Sequence, residues 1–186
     1  MGKKFITIMG GARSGKSRLA ADLAKRYGRN VLFVATAQPS DREMSERIRV
    51  HRSERPVEWQ TSETPVDVGR AIAQNGRDFD TVIIDCITLL VSNLMRRPNV
   101  REQQLWTAAE SEVEAIAEAY RALSATFIVV TNEVGLGIVP AYPAGRVYRD
   151  VLGRTNRMLA QISDEAVMLI AGFPVDIKNA RTDLSW

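Results

Sequence analysis

The sequence predicts an α/β fold of the phosphate-loop NTPase type: a mainly parallel sheet flanked by helices, in a single domain over residues 1–186. Three observations carry that reading. Five short β-branched, apolar runs punctuate the chain, and each is apolar enough throughout for a strand buried on both faces. Helical patterns lie between them. The first run leads through a glycine-rich string into the first helix, the setting a phosphate loop requires.

Taken in order, FITIM at 5–9 predicts the first strand, and residues 17–27 a helix with Leu19, Leu23 and Tyr27 in phase. VLFVAT at 31–36 predicts the second strand. Ser40-Asp41-Arg42-Glu43 fits a capping box, in which Ser40 opens a helix reaching about residue 53. TVIID at 81–85, TFIVVT at 126–131 and AVMLIA at 166–171 supply the remaining strands. A helix over 102–123 carries Val113, Ile116, Tyr120 and Leu123 on one face. Residues 132–146, with several glycines and two prolines, read as too irregular for a helix, and loops of that length are often functional. No internal repeat, low-complexity tract or linker divides the chain.

Composition narrows the function classes. The 186 residues are 45% hydrophobic and 25% charged, enough for one full core. Lys plus Arg number 25 against 22 for Asp plus Glu, and aromatics are only 6%, which argues against a nucleic-acid partner with a basic stripe and stacking platforms. The lone Cys86 excludes an intramolecular disulfide and a cysteine-based zinc cage, and a single histidine leaves no histidine cluster for a metal. No apolar run approaches the roughly 18 residues of a membrane helix. The opening MGKKFITIMGG lacks a signal-peptide pattern, and Ile6 breaks the myristoylation pattern, so the expected location is cytoplasmic.

The string Gly10-Gly11-Ala12-Arg13-Ser14-Gly15-Lys16-Ser17 matches glycine, four residues, then Gly-Lys-Ser. Glycines let successive amides turn inward on phosphate oxygens, Lys16 reaches the outer phosphates, and the Ser17 hydroxyl is placed to ligate Mg2+. A carboxylate must share that ion. Asp85 closes the apolar strand TVIID at the edge where a parallel sheet meets its ligand, although an aspartate there also serves as a turn or helix cap. Glu133, after another strand, is a weaker candidate for the same task.

His51 follows Ile48 by three residues and Met44 by seven, so the three share a helix face. Its setting is RIRVHRSERP, with Arg47, Arg49, Arg52 and Arg55 around it. Nearby cations favour a neutral, nucleophilic imidazole, and arginines hold phosphates by paired hydrogen bonds. General acid or base chemistry is equally open to an imidazole. The alternative is a solvated helix face, its arginines paired with Glu43, Glu46 and Glu54.

The chain resembles the bifunctional adenosylcobinamide kinase / adenosylcobinamide-phosphate guanylyltransferase family of cobalamin biosynthesis. The segments that carry the resemblance are GGARSGKS (10–17), VLFVATAQ (31–38), RIRVHRSERPVEWQTSETP (47–65), DCITLLVSNL (85–94), NEVGLGIVP (132–140) and YRDVLGRTNRMLA (148–160). The first is generic; the set in this order is specific. The resemblance implies two reactions: transfer of the γ-phosphate of ATP or GTP to the aminopropanol hydroxyl of adenosylcobinamide, then transfer of GMP from GTP to that phosphate through a GMP-histidine. It implies that His51 is the guanylylated residue. It further implies nucleotide contacts at Gly10 to Ser17, at Ala35, Thr36 and Ala37, at Arg52, Ser53, Glu54 and Arg55, and at Glu63 and Asp85. The role of Glu63 rests on the resemblance alone. The family varies between Asp and Glu at the position of Asp85. A corrinoid substrate and a ring-like homotrimer are likewise implied, while the loops near 96–101 and 132–150 are candidates for corrinoid contact by irregularity only.

Two rivals share parts of this reading. A small-metabolite kinase needs the same fold, Mg2+ and phosphate loop but has no use for His51. A regulatory GTP-binding switch needs Asn-Lys-x-Asp and Asp-x-x-Gly; neither string occurs, the nearest approach being Thr131-Asn132-Glu133-Val134.

Overall fold

The five apolar runs become parallel strands of one sheet. The computed structural model describes residues 2–98 and 100–180. In chain order its elements are β1 (Phe5–Gly10), α1 (Lys16–Tyr27), β2 (Val31–Ala35), α2 (Arg42–Ser53), β3 (Gln60–Glu63), α3 (Val68–Asn75), β4 (Thr81–Asp85), α4 (Ile87–Met95), α5 (Glu102–Ala122), β5 (Thr126–Val130), α6 (Pro143–Ile162), β6 (Glu165–Ile170) and β7 (Phe173–Asp176). The strand order is β3-β2-β4-β5-β1-β6-β7, with only β7 antiparallel to its neighbour.

Each central strand alternates its side chains between two cores. Phe5, Leu32, Val34, Val82, Ile84, Phe127 and Val129 pack toward α3, α4, α5 and α6. Ile6, Ile8, Phe33, Ile83, Ile128 and Val130 face the other way, onto Ala20 and Ala24 of α1. Burial on both faces is what forces the uninterrupted apolar runs. The strand β6 departs from the expectation, since it is only partly buried and ends at the exposed Ile170, because its far neighbour is the exposed β7.

Other expectations are corrected in detail. On α1 the fully buried line is Lys16, Ala20 and Ala24, with Leu19, Leu23 and Tyr27 partly buried beside it, because small residues let the helix sit close to the sheet. The helix α2 is capped by Asp41 and not by Ser40: the Asp41 carboxylate accepts from the Met44 amide at 2.8 Å, while Ser40 donates to Asp41. The irregular stretch ends earlier than residue 146, since Pro143 starts α6, a position where its missing N–H costs nothing. Residue 99, within one loop noted for corrinoid contact, lies outside the described residues. No helix among the described residues is long and apolar enough to cross a membrane.

The N-terminus of α3 is closed from outside. Its cap residue Asp67 gives no side-chain bond; instead the buried Glu112 of α5 accepts from the Asp67 amide, at 2.5 Å, and from the Val68 amide, at 3.0 Å. Burial raises the Glu112 carboxyl above its ordinary range, opposed by those two amides.

Candidate active site

The parallel sheet brings the candidate residues to one rim. Register pairs Ala35 with Asp85 and with Glu63, and Asp85 with Val130, so β3, β2, β4 and β5 end in a common row. Gly10, at the end of β1, accepts a hydrogen bond from the Glu133 amide just past β5 at 3.1 Å. Ligands of such sheets bind along this edge.

The loop from Gly10 to Ser17 turns from β1 into α1. Gly10 has φ 152° and Gly15 φ 96°, and a Cβ at Gly10 would stand 2.8 Å from the Leu169 carbonyl oxygen, so this position accepts no side chain. Arg13 also has positive φ, at 57°. Gly11, Ala12, Arg13 and Gly15 are exposed, and Ser14 and Ser17 partly so. Lys16 is buried; its ammonium folds back to donate to the Gly11 carbonyl at 2.5 Å and to Ser14 Oγ at 3.2 Å. Burial lowers the Lys16 pKa, opposed by Cys86 and Asp85.

Asp85 lies partly buried at the end of β4. Burial raises its pKa; Ser17, His51, Arg55 and Lys16, in falling order, lie close enough to favour its charged form. Ser17 and Asp85 together are a hydroxyl and a carboxylate beside the phosphate loop, a hard oxygen pair that fits Mg2+ once nucleotide phosphates and water complete the shell. Among the described residues no group of three or more His, Cys, Asp or Glu could hold a metal by itself. The Asp85–Cys86 peptide is cis.

Thr36 fixes that peptide. Its hydroxyl accepts from the Cys86 amide at 2.8 Å and donates to the Cys86 carbonyl at 2.7 Å, while its own amide donates to the Asp85 carbonyl at 3.1 Å. Asn93 of α4 adds bonds to the carbonyls of Thr36 and Pro65, at 2.8 and 3.0 Å. Thr36 is therefore fully enclosed and its hydroxyl is already committed, Ala35 is buried, and Ala37 is partly exposed. The Cys86 thiol is pushed up to about 12 by burial, so it is no nucleophile at neutral pH.

His51 is exposed on α2, a helix that buries none of its residues; Met44 and Ile48 on the same face are partly buried. The four arginines divide. Arg47 pairs with Glu43 at 2.8 Å and Arg49 with Glu46 at 2.6 Å, on exposed parts of the helix. Arg52 instead reaches Glu63 at the end of β3, 3.2 Å away. Arg55 lies over the Phe33 ring, 3.9 Å from its centre, and burial lowers its pKa, opposed most by Asp85. Ser53 and Glu54 are exposed; the Ser53 hydroxyl is turned onto the Val50 carbonyl at 2.8 Å. Phe33, Asn93 and Asn156 were not singled out by sequence reading. For Asn93 the signal was present, an amide inside the apolar run LLVSNLM; for the other two the contact exists only through the fold.

The chain is similar to known proteins over most of its length. The family model described as cobinamide kinase / cobinamide phosphate guanyltransferase (CobU) matches residues 6–177. The bifunctional adenosylcobalamin biosynthesis protein CobP of Pseudomonas aeruginosa is 37% identical over 171 residues, covering 92% of this chain and 95% of the relative. The corresponding CobU of Salmonella typhimurium is 38% identical over 181 residues, covering 94% and 99%. An ATPase structure from a bacterial type III secretion system superposes with a TM-score of 0.52 at 14% identity, covering 97% of this chain and 59% of that one, a likeness of fold alone. With a family match over most of its length and relatives above one-third identity, the chain belongs to the cobinamide kinase / cobinamide phosphate guanyltransferase family.

Proposed function

We propose that this chain, acting as one domain over residues 1–186, catalyses both family reactions at the single rim described above. In the first, the γ-phosphate of ATP or GTP passes to the aminopropanol hydroxyl of adenosylcobinamide. In the second, His51 attacks the α-phosphorus of GTP, pyrophosphate leaves, and the corrinoid phosphate then displaces GMP from the histidine to give adenosylcobinamide-GDP. The observation that supports the reading is the common row formed by Glu63, Ala35, Asp85 and Val130 beside the phosphate loop that follows β1, with Arg52, next to His51, bridged to Glu63 at 3.2 Å.

Each group has a task that follows from its chemistry. Amides from Gly10 to Gly15 and the Lys16 ammonium neutralise phosphate charge as it moves, which is most of what phosphoryl transfer asks of a protein. Ser17 and Asp85 hold Mg2+, which supplies charge neutralisation and orients the phosphates when bound. Arg52 and Arg55, with the 53–54 backbone, guide phosphates toward His51, and Glu63 sets Arg52. Ala37 lines the rim where the nucleotide rests, with Ala35 and Thr36 buried behind it. We further propose a cytoplasmic homotrimer that takes a corrinoid substrate and no nucleic acid.

Intact-protein mass spectrometry after incubation with GTP and Mg2+ tests the reading. Wild type gains the mass of one GMP, acid-labile as a phosphoramidate is, and His51→Ala gains none. Wild type that stays unmodified, with pyrophosphate removed and no corrinoid phosphate present, leaves the plain small-metabolite kinase as the better description.

A further inference from the structure

We propose that Glu133 is the general base of the phosphoryl-transfer step, taking the proton from the acceptor hydroxyl; this rests on the kinase half of the function proposed above. Phosphate transfer to an alcohol forms an O–P bond and breaks the bond from the γ-phosphorus to its bridging oxygen. The hydroxyl proton must leave as this happens. Beside the end of β1, where the phosphate loop begins, stands a carboxylate that is hydrogen-bonded in place but paired with no cation among the described residues.

The strand β5 lies between β1, which carries the phosphate loop, and β4, which carries Asp85. The first residues beyond β5 therefore sit at the centre of the rim. Glu133 is tied there, its amide bonded to the Gly10 carbonyl at 3.1 Å. The base of its loop is pinned as well, the Asn132 amide donating to Thr88 Oγ1 at 2.7 Å.

The carboxylate itself is held in place without being neutralised. Glu133 Oε1 accepts from the Gly135 amide at 2.7 Å, and Oε2 faces the Asn156 side-chain nitrogen at 3.4 Å. Asn156 is buried in α6 and oriented by two further bonds: it accepts from Thr131 at 2.7 Å and donates to the Asn132 carbonyl at 3.0 Å. Among the described residues no cation pairs with Glu133. The side chain is partly exposed, so substrate can reach it.

The neighbouring groups are unsuited to the task. Asp85 serves Ser17 and the metal, His51 is the guanylylation nucleophile, and the Cys86 thiol is enclosed. Tyr148 donates its hydroxyl to the Thr88 carbonyl at 3.0 Å. Glu133 is the carboxylate left at the rim with an open face.

The test separates the two reactions. Glu133→Gln should phosphorylate adenosylcobinamide about 10²- to 10⁴-fold more slowly than wild type, the usual contribution of a positioned base. His51 guanylylation by GTP should stay unchanged, while the thermal midpoint should fall only slightly, because the amide keeps the Gly135 bond and loses the weaker one from Asn156. Glu133→Asp, which keeps a carboxylate, should recover part of the phosphorylation rate. Phosphorylation at the wild-type rate in Glu133→Gln, or equal loss of both reactions, overturns the assignment. A wild-type chain that accepts GMP but phosphorylates no corrinoid overturns the kinase reading itself, and the base with it.

Discussion

Arg55 rests its guanidinium on the ring of Phe33, 3.9 Å from the centroid, and its buried Nε makes no hydrogen bond among the described residues. Phe33 in turn stacks on Trp59 at 6.4 Å. An arginine pre-oriented by an aromatic face, with donors to spare, is ready for an anion such as phosphate. Arg55→Lys keeps the charge and loses the planar fork, so guanylylation of His51 should slow roughly 5- to 30-fold, about 1 to 2 kcal/mol of transition-state stabilisation. Phe33→Leu should move in the same direction by less. Single-turnover formation of the GMP adduct measures both.

On the function proposed above, both reactions share Lys16 and Asp85. Lys16→Ala should reduce phosphorylation and guanylylation alike, each on the order of 10²-fold or more, as removal of one preorganised charge-stabilising group does elsewhere. Asp85→Asn should do the same and should raise the Mg2+ concentration needed for half-maximal rate. Chelation of divalent cations should stop both reactions in wild type, with recovery on adding Mg2+. Parallel assays of the two activities decide whether the losses are joint.

Glu112 closes the N-terminal end of α3 from another helix. Glu112→Ala strands the Asp67 and Val68 amides and should cost about 1–3 kcal/mol, read as a lowered thermal midpoint. The pH dependence has a definite sign. Burial raises the native Glu112 pKa above 4.5, with Asp67 pushing the same way and Arg97, paired to Asp67 at 2.7 Å, opposing. The native state then keeps a proton that the unfolded chain releases. This contribution is full below the unfolded value and fades as pH rises through the native one. Between Glu112→Gln and wild type, only wild type should show that decline in midpoint across weakly acidic pH.

Thr36→Val preserves shape but removes the hydroxyl that serves both polar groups of Cys86. The loss should again be about 1–3 kcal/mol of stability, because two buried groups lose a partner. Denaturant unfolding measures it.

What could be read in the sequence follows from locality. The five parallel strands were legible because burial on both faces leaves a continuous apolar signature in each. β3 was not: QTSE is polar and becomes a strand only by pairing with β2. β7 is exposed along its length and contains Pro174, so its signature is that of a turn until β6 pairs with it. α4, ITLLVSNLM, is apolar all round and carries no helical stripe, while α6 hides behind the proline and glycines at its start. In the site, the phosphate loop and Asp85 announce themselves by string and position. The pairing of Arg52 with Glu63, and the division of the four arginines between solvent and site, depend on where β3 lands beside α2 and have no local signal.

The two halves of the chemistry are mounted very differently. Lys16 and Thr36 are buried at the sheet, whereas α2, which carries His51, has no fully buried side chain, only the partly buried Met44 and Ile48. Shifting α2 forfeits the exposed Arg52–Glu63 pair and a modest apolar contact, so the free energy needed to advance or withdraw the imidazole is small beside that of disturbing the phosphate cradle. On the function proposed above, one phosphate cradle can then serve two transfers in turn: the cradle stays fixed, and a helix that moves at small cost brings the imidazole to the α-phosphorus or leaves the γ-phosphorus to the alcohol.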